Sequence, residues 1–86
     1  MRRWLPNRVE LTQYHIFEVR ANSWVVTDAA ASVRGLAARG VHFERFPAMD
    51  QDELGIWTTP GSDLVAWFKE PDGNVLSLTQ FATMAT

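Results

Sequence analysis

One segment of this sequence has the apolar spacing of an amphipathic helix. The remaining segments predict a sheet, and a single helix cannot cover both faces of that sheet. The apolar residues of the helical segment recur on one helical face at Ala29, Val33, Leu36 and Ala37. Asp28 is placed to cap the first turn, and Gly40 follows the last turn, where a left-handed residue is favoured. The segment predicts a helix over residues 29–39. Because one helix shields one face of a sheet, the other face is left to solvent, a ligand or another protein.

Alternation of apolar and polar residues, typical of half-buried strands, fills most of the remaining sequence. It predicts strands over residues 8–20, 23–27, 41–46, 54–58, 64–69 and 75–81. The sequence Thr59-Pro60-Gly61-Ser62 favours a type II turn, and the segment from Glu70 to Asn74 favours a tight hairpin with Gly73 in a bulge. The acidic segment 48–53, with Asp50, Asp52 and Glu53, predicts a flexible, solvated loop. The predicted organisation is an N-terminal segment (1–22), a strand-helix-strand-strand-strand unit (23–81) and a frayed tail (82–86).

A chain of 86 residues makes one small domain with a marginal core, which usually needs a disulfide, a metal or a partner chain. The sequence has no cysteine, which excludes disulfides and thiolate zinc sites. It has two histidines, His15 and His42, too few for a histidine metal cage. A partner subunit is therefore the expected supplement.

Charge and hydropathy exclude several classes of function. The net charge of −2 disfavours nucleic-acid binding, which needs a basic surface. No apolar run approaches the roughly 20 residues of a membrane span. The start, with Arg2 and Arg3, lacks the apolar stretch of a signal peptide, so the cytoplasm is the expected location.

Two motifs resemble a known family. Trp24-Val25-Val26-Thr27-Asp28, a helix and then the segment Leu36 to Phe43 resemble the "VxD … LxxxGVxF" opening of a vicinal oxygen chelate module. The segment Ala66 to Leu78, with Glu70-Pro71-Asp72-Gly73-Asn74, resembles the family hairpin "F-x-D-P-D-G-N-x-x-E-L", with Glu70 replacing the first aspartate. The resemblance spans residues 23–80. It implies an α+β fold, a βαβββ module similar to the second half of a glyoxalase, bleomycin-resistance or dioxygenase-like protein, with an extra N-terminal strand.

Members of that superfamily usually pair two such modules into a cup around a divalent metal. The resemblance therefore implies that this chain completes its cup as a homodimer, or by exchanging strands with its mate. It also implies metal ligands at about Ala21 and at Ser77. A methyl group cannot bind a metal and a neutral hydroxyl binds weakly, so no cofactor is expected; a divalent metal is possible but disfavoured.

Strand alternation assigns side chains to the two faces of the predicted sheet. Trp24, Val26, Leu76 and Leu78 are expected to face the helix, and Val25 and Thr79 the cup. His15 and Glu18, three apart in a strand, should point to opposite faces. The expected ligand-binding residues of the cup face are His42, Glu44, Trp57, Trp67, Val75 and Ser77, with His42 and Glu44 as an alternative acid–base pair.

Three functions are compatible with these observations. The leading hypothesis is a metal-free small-molecule-binding protein whose dimeric cup holds an apolar or aromatic ligand. The second is a metal-dependent lyase or dioxygenase, with ligands from His15, His42, Glu18 or Glu44 across the dimer. The third is a non-catalytic interaction module or remnant half-domain whose cup face is filled by another protein. Catalytic residues are not predicted, because a fold alone does not specify an activity.

Overall fold

The computed structural model describes residues 7–20 and 22–82, which form an α+β fold with a five-stranded mixed sheet. In chain order the elements are α1 (Arg8–Gln13), β1 (Ile16–Val19), β2 (Ser23–Val26), α2 (Ala29–Ala38), β3 (Trp57–Thr58), β4 (Leu64–Lys69) and β5 (Val75–Gln80). The sheet order is β1-β2-β5-β4-β3, with β2 and β5 parallel and the other neighbours antiparallel. Neither described helix is long and apolar enough to cross a bilayer. Predictions for residues 1–6, Ala21 and the tail 83–86 lie outside the described residues.

The segment predicted as one long strand, 8–20, is a helix followed by a short strand, so the first half of that prediction is wrong. Asn7 caps α1: its side chain accepts from the Glu10 N–H at 2.9 Å, and the Glu10 carboxylate accepts from the Asn7 N–H at 2.9 Å. This reciprocal capping box stabilises a first helical turn. His15 then adopts a φ of 61°, which ends the helix and redirects the chain into β1.

The hydrophobic core lies between α2 and one face of the sheet. The cap at Asp28, which accepts from the Ala31 N–H at 3.0 Å, and the positive φ of Gly40 are confirmed. From α2, Ala29, Val33 and Leu36 are buried against the sheet. As predicted, Trp24, Val26, Leu76 and Leu78 belong to this core. Phe68 is at its centre, fully buried, with its ring edge-on to Trp24 at 5.1 Å.

The single tyrosine docks α1 onto α2. The Tyr14 ring is 2% exposed and lies against Gly35, where an added Cβ would approach two ring carbons at 3.0 and 3.1 Å. The Ser32 hydroxyl donates to the Tyr14 backbone oxygen, and Arg39 Nη1 donates to the Tyr14 hydroxyl at 2.8 Å. Two contacts to the side chain of Tyr14 and one to its backbone therefore fix this residue against α2.

The two strands predicted between α2 and β4 are shorter than expected. The segment 41–46 contributes a single antiparallel bridge, Phe43 to Phe68, and the segment 54–58 forms only the two-residue strand β3. The acidic loop between them is ordered by its side chains. Asp52 Oδ1 accepts from the Leu54 and Ile56 N–H groups at 2.9 Å each, a side-chain-stabilised turn that leaves few residues for extended pairing.

Both strand connections around β4 have the same backbone pattern, which corrects one turn prediction. In the β4–β5 hairpin, Gly73 N–H donates to Glu70 O at 2.9 Å and Gly73 has a φ of 91°, as expected for the bulged loop. In the β3–β4 hairpin, Ser62 N–H donates to Thr59 O at 2.9 Å, and Ser62, not Gly61, carries the positive φ, 73°. The type II turn is therefore wrong, because that turn needs the positive φ at Gly61.

Ser62→Gly is expected to stabilise the protein. A non-glycine residue in the left-handed region costs about 1–2 kcal/mol, whereas glycine loses about 0.5–1 kcal/mol more unfolded-state entropy, so the net gain is about 0.5 kcal/mol. The reciprocal change Gly73→Ser should destabilise by about the same amount or more. Urea denaturation of both variants measures these values; a loss of stability in Ser62→Gly would contradict the assignment.

Candidate functional site

The outer face, which we define as the face of the sheet turned away from α2, presents its side chains in three rows. The hairpin row, next to the β4–β5 turn, consists of His42, Lys69 and Val75. The middle row consists of Glu44, Trp67, Ser77 and Ser23. The far row consists of Trp57, Val65, Thr79 and Val25. These rows follow from the register, since residues opposite each other in paired strands share a face.

All six side chains predicted for the cup face thus lie on the outer face. Glu44 N–H donates to Trp67 O at 2.8 Å, so backbone pairing puts Glu44 directly across from Trp67. Trp67 is in turn paired with Ser77, and Lys69 with Val75. The sequence pattern located these residues through alternation alone, which is independent of whether they bind a ligand.

Three aromatic rings form a cluster on this face. Trp57 and Trp67 are stacked at an interplanar angle of 28° with ring centroids 6.2 Å apart. Phe46 stands edge-on to Trp67, at 88° and 5.4 Å. Both tryptophans are half-buried, and Phe46 is 38% exposed. Phe46 was not predicted to belong to the site. Its spacing of two from Glu44, and of four from His42, is the sequence signal that places it on the same face.

Gln51 holds the backbone that carries Phe46 and Glu44. Its side-chain oxygen accepts from the Phe46 N–H at 2.8 Å. Its amide nitrogen donates to Glu44 O at 3.0 Å and to Gly55 O at 2.8 Å. One amide side chain therefore joins three points of the loop, so the Phe46 and Glu44 side chains project from a fixed backbone.

The outer face is not equally open along its length. In the far row Val25 is 2% exposed and Thr79 9%, so this end is shielded within one chain. In the hairpin row Val75 is 45% exposed, and the His42 side chain is 81% exposed. The expectation that the whole face is bare is therefore wrong. The accessible part runs from the middle row to the hairpin row.

The charged groups of the accessible part are Glu44, His42 and Lys69. Glu44 is partly buried, with 22% of its side chain exposed, and its carboxylate lies 3.7 Å from His42 Nε2. That distance allows an ion pair when His42 is protonated but exceeds a hydrogen bond. Lys69 is exposed in the same row as His42.

The other two residues weighed as alternative metal ligands, His15 and Glu18, lie at and within the first strand. His15 precedes β1 rather than lying within a strand, so the strand geometry predicted for His15 and Glu18 does not apply. Arg20 Nε and Nη2 donate to the Glu18 carboxylate at 2.9 and 3.3 Å, and this hydrogen bond lowers the pKa of Glu18. Ser77 Oγ lies 3.4 Å from Asn22 O, and Ala21 is outside the described residues. Within residues 7–20 and 22–82, no three His, Cys, Asp or Glu side chains form a metal-binding group.

A cleft of about 300 Å³ lies at the end of α2, and His42 and Lys69 of the hairpin row belong to its lining. The Tyr14 ring and Leu36 contribute apolar walls, and Glu10, Arg39 and the buried Glu70 contribute charge. Glu10 is engaged in the α1 cap, Arg39 binds the Tyr14 hydroxyl and Glu70 contacts Asn74. This cleft was not predicted from the sequence, because Glu10 and Tyr14, which complete its lining, belong to a segment that was predicted as a strand.

The sequence and the structure were compared with known proteins, and no family model, curated protein or solved structure matches this chain.

Proposed function

We propose that this protein binds an apolar or aromatic small molecule on its outer face, in a cup completed by a second copy of the chain, without a metal. The observation that carries the proposal is the cluster of Phe46, Trp57 and Trp67 next to the accessible middle row. The two tryptophans stack on each other and stay half-buried in one chain, so part of their aromatic surface is left for a flat ligand. The order strand-helix-strand-strand-strand from Ser23 supports the resemblance to a vicinal oxygen chelate module, whose partner would close the cup.

The position of the accessible apolar surface on the outer face supports the dimer. Val75, 45% exposed, lies diagonally across from Trp67 in the β4–β5 register, so an exposed apolar side chain stands one row from the aromatic cluster, at the rim. Contiguous exposed apolar surface of this kind marks interaction sites on small proteins. The helix-covered face, by contrast, buries its apolar residues within one chain.

Light scattering coupled to size exclusion at low micromolar concentration tests the pairing. We expect a dimer, and we expect Val75→Glu to shift it towards monomer because a charge would be buried at the rim. Ala38→Glu, at an exposed position of α2, is the matched control and should stay dimeric. A folded wild-type monomer under these conditions would overturn the dimeric cup.

Ligand binding is tested separately by quenching of tryptophan fluorescence with a neutral aromatic probe, N,N-dimethylaniline at pH 8. We expect saturable binding that Trp67→Leu weakens.

Metal analysis of the purified protein distinguishes metal-free binding from the alternative function. Stoichiometric Ni, Zn, Fe or Mn would favour a metal-dependent lyase or dioxygenase. Two outer faces packed together without a cavity would favour the interaction module.

A further inference from the structure

A half-buried carboxylate borders the aromatic cluster. Backbone pairing sets Glu44 across from Trp67, with Phe46 two residues further along and edge-on to the same ring. Only 22% of the Glu44 side chain is exposed. Among the described residues, the basic group within 4 Å of its carboxylate is the exposed imidazole of His42, at 3.7 Å, which is longer than a hydrogen bond.

We propose that the ligand of the outer face is a cation with an aromatic or apolar body, such as an aromatic quaternary ammonium ion. This inference rests on the proposed function and adds the charge of the ligand to it. A tryptophan ring attracts a cation over its face through the ring quadrupole, and the stacked pair of Trp57 and Trp67 stays half-buried in one chain. Glu44 places a carboxylate in the same row of the outer face as Trp67, and its partial burial strengthens the attraction of that carboxylate for a cation. An anionic ligand would meet repulsion from both.

Two basic side chains, Lys69 and His42, oppose the binding of a cation, but their effect is weaker than the attraction by Glu44. Lys69 lies one row out from Glu44, next to the turn, and is exposed, so solvent and salt screen its charge. His42 competes for Glu44 only in its protonated form, and 81% of its side chain is in solvent. Arg45, the next cation in the chain, is directed away, since its Nη2 donates to Glu53 O at 2.6 Å.

Three probes of similar size and different charge test the proposal: N,N,N-trimethylanilinium, neutral N,N-dimethylaniline and the benzoate anion. Titration of each is followed by NMR, through the indole N–H signals of Trp57 and Trp67 at pH 8. We expect the cation to bind about tenfold more tightly than the neutral probe, and benzoate more weakly than either.

Charge variants then identify the source of the preference. Glu44→Gln should remove most of the advantage of trimethylanilinium while leaving the affinity for dimethylaniline within about twofold. Lys69→Gln should change affinity for the cation in the opposite direction, tightening it by about twofold. Glu53→Gln, an exposed acid of the neighbouring loop, is the matched control and should change neither affinity.

The outcomes separate the two proposals. If neutral and cationic probes bind equally and Glu44→Gln changes nothing, the charge preference is overturned while the binding function stands. If none of the probes shifts the Trp57 or Trp67 signals at millimolar concentration, the proposed function itself fails and the preference falls with it. Glu44→Gln is expected to weaken binding of the cation and Lys69→Gln to tighten it. A general loss of stability would weaken binding in both variants, so it cannot produce these opposite changes in affinity.

Discussion

Phe68→Ala is expected to cost about 3–5 kcal/mol of unfolding free energy, which is the typical loss for a buried phenylalanine. Phe68 is fully buried, and its ring contacts Trp24 at 5.1 Å and Phe43 at 5.5 Å. Alanine removes both ring contacts and leaves a cavity that the surrounding strands cannot close. Because a domain of this size has only roughly 5–10 kcal/mol of stability, the variant should lose about half of it.

Urea denaturation followed by tryptophan fluorescence measures this loss. Phe17→Ala is the matched control, because Phe17 is 66% exposed and its removal should change stability by less than about 0.5 kcal/mol. Equal effects of the two substitutions would show that the ring of Phe68 is not the centre of the core.

Gly35→Val is expected to destabilise the protein by about 2–3 kcal/mol and to release Tyr14 from α2. A Cβ at Gly35 would lie 3.0 and 3.1 Å from two carbons of the Tyr14 ring, and the two methyl groups of valine would crowd it further. The ring cannot step aside freely, because Arg39 binds its hydroxyl and Ser32 binds its backbone oxygen. Gly35→Ala should have a smaller effect, since its better helix propensity, worth about 1 kcal/mol, offsets part of the crowding.

Tyr14 is the single tyrosine of the chain, so its chemical reactivity reports this contact directly. Nitration by tetranitromethane should be slow in the wild type, where the ring is 2% exposed, and fast in Gly35→Val. Ala38→Val places the same side chain at an exposed position of α2 and controls for the helix propensity of valine. A Gly35→Val protein as stable as Ala38→Val would contradict the close packing.

The elements that the sequence predicted well are those in which local signals and burial agree. Residues 29–39 have a cap, an apolar stripe and a terminal glycine, and α2 occupies 29–38. In β4 and β5, alternation from Leu64 to Gln80 is set by contact with the core on one face, and both strands were predicted to within one residue. Side-chain alternation in these two strands therefore also placed Trp67, Val75 and Ser77 on the outer face.

Prediction failed where a local hydrogen bond outweighed alternation. Val9 and Leu11 alternate as they would in a strand, but the capping box of Asn7 and Glu10 makes a helix of residues 8–13. Asn-x-x-Glu was the signal in the sequence that could have shown this. In the segment 44–56 the side chains of Gln51 and Asp52 bind backbone groups that a strand would have paired, and no apolar pattern encodes that competition.

The sheet order has a consequence for how the chain acquires its structure. β5, the final strand along the sequence, is the middle strand of the five, between β2 and β4. Its parallel pairing with β2 joins Ser23 to Ser77 and Val25 to Thr79, contacts that enclose most of the polypeptide in one loop. Contacts this distant in sequence form slowly. During synthesis the ribosome must therefore release residues up to Gln80 before the pairs β1–β2 and β3–β4 can join into one sheet, and until then their apolar sides are open to chaperones and to aggregation.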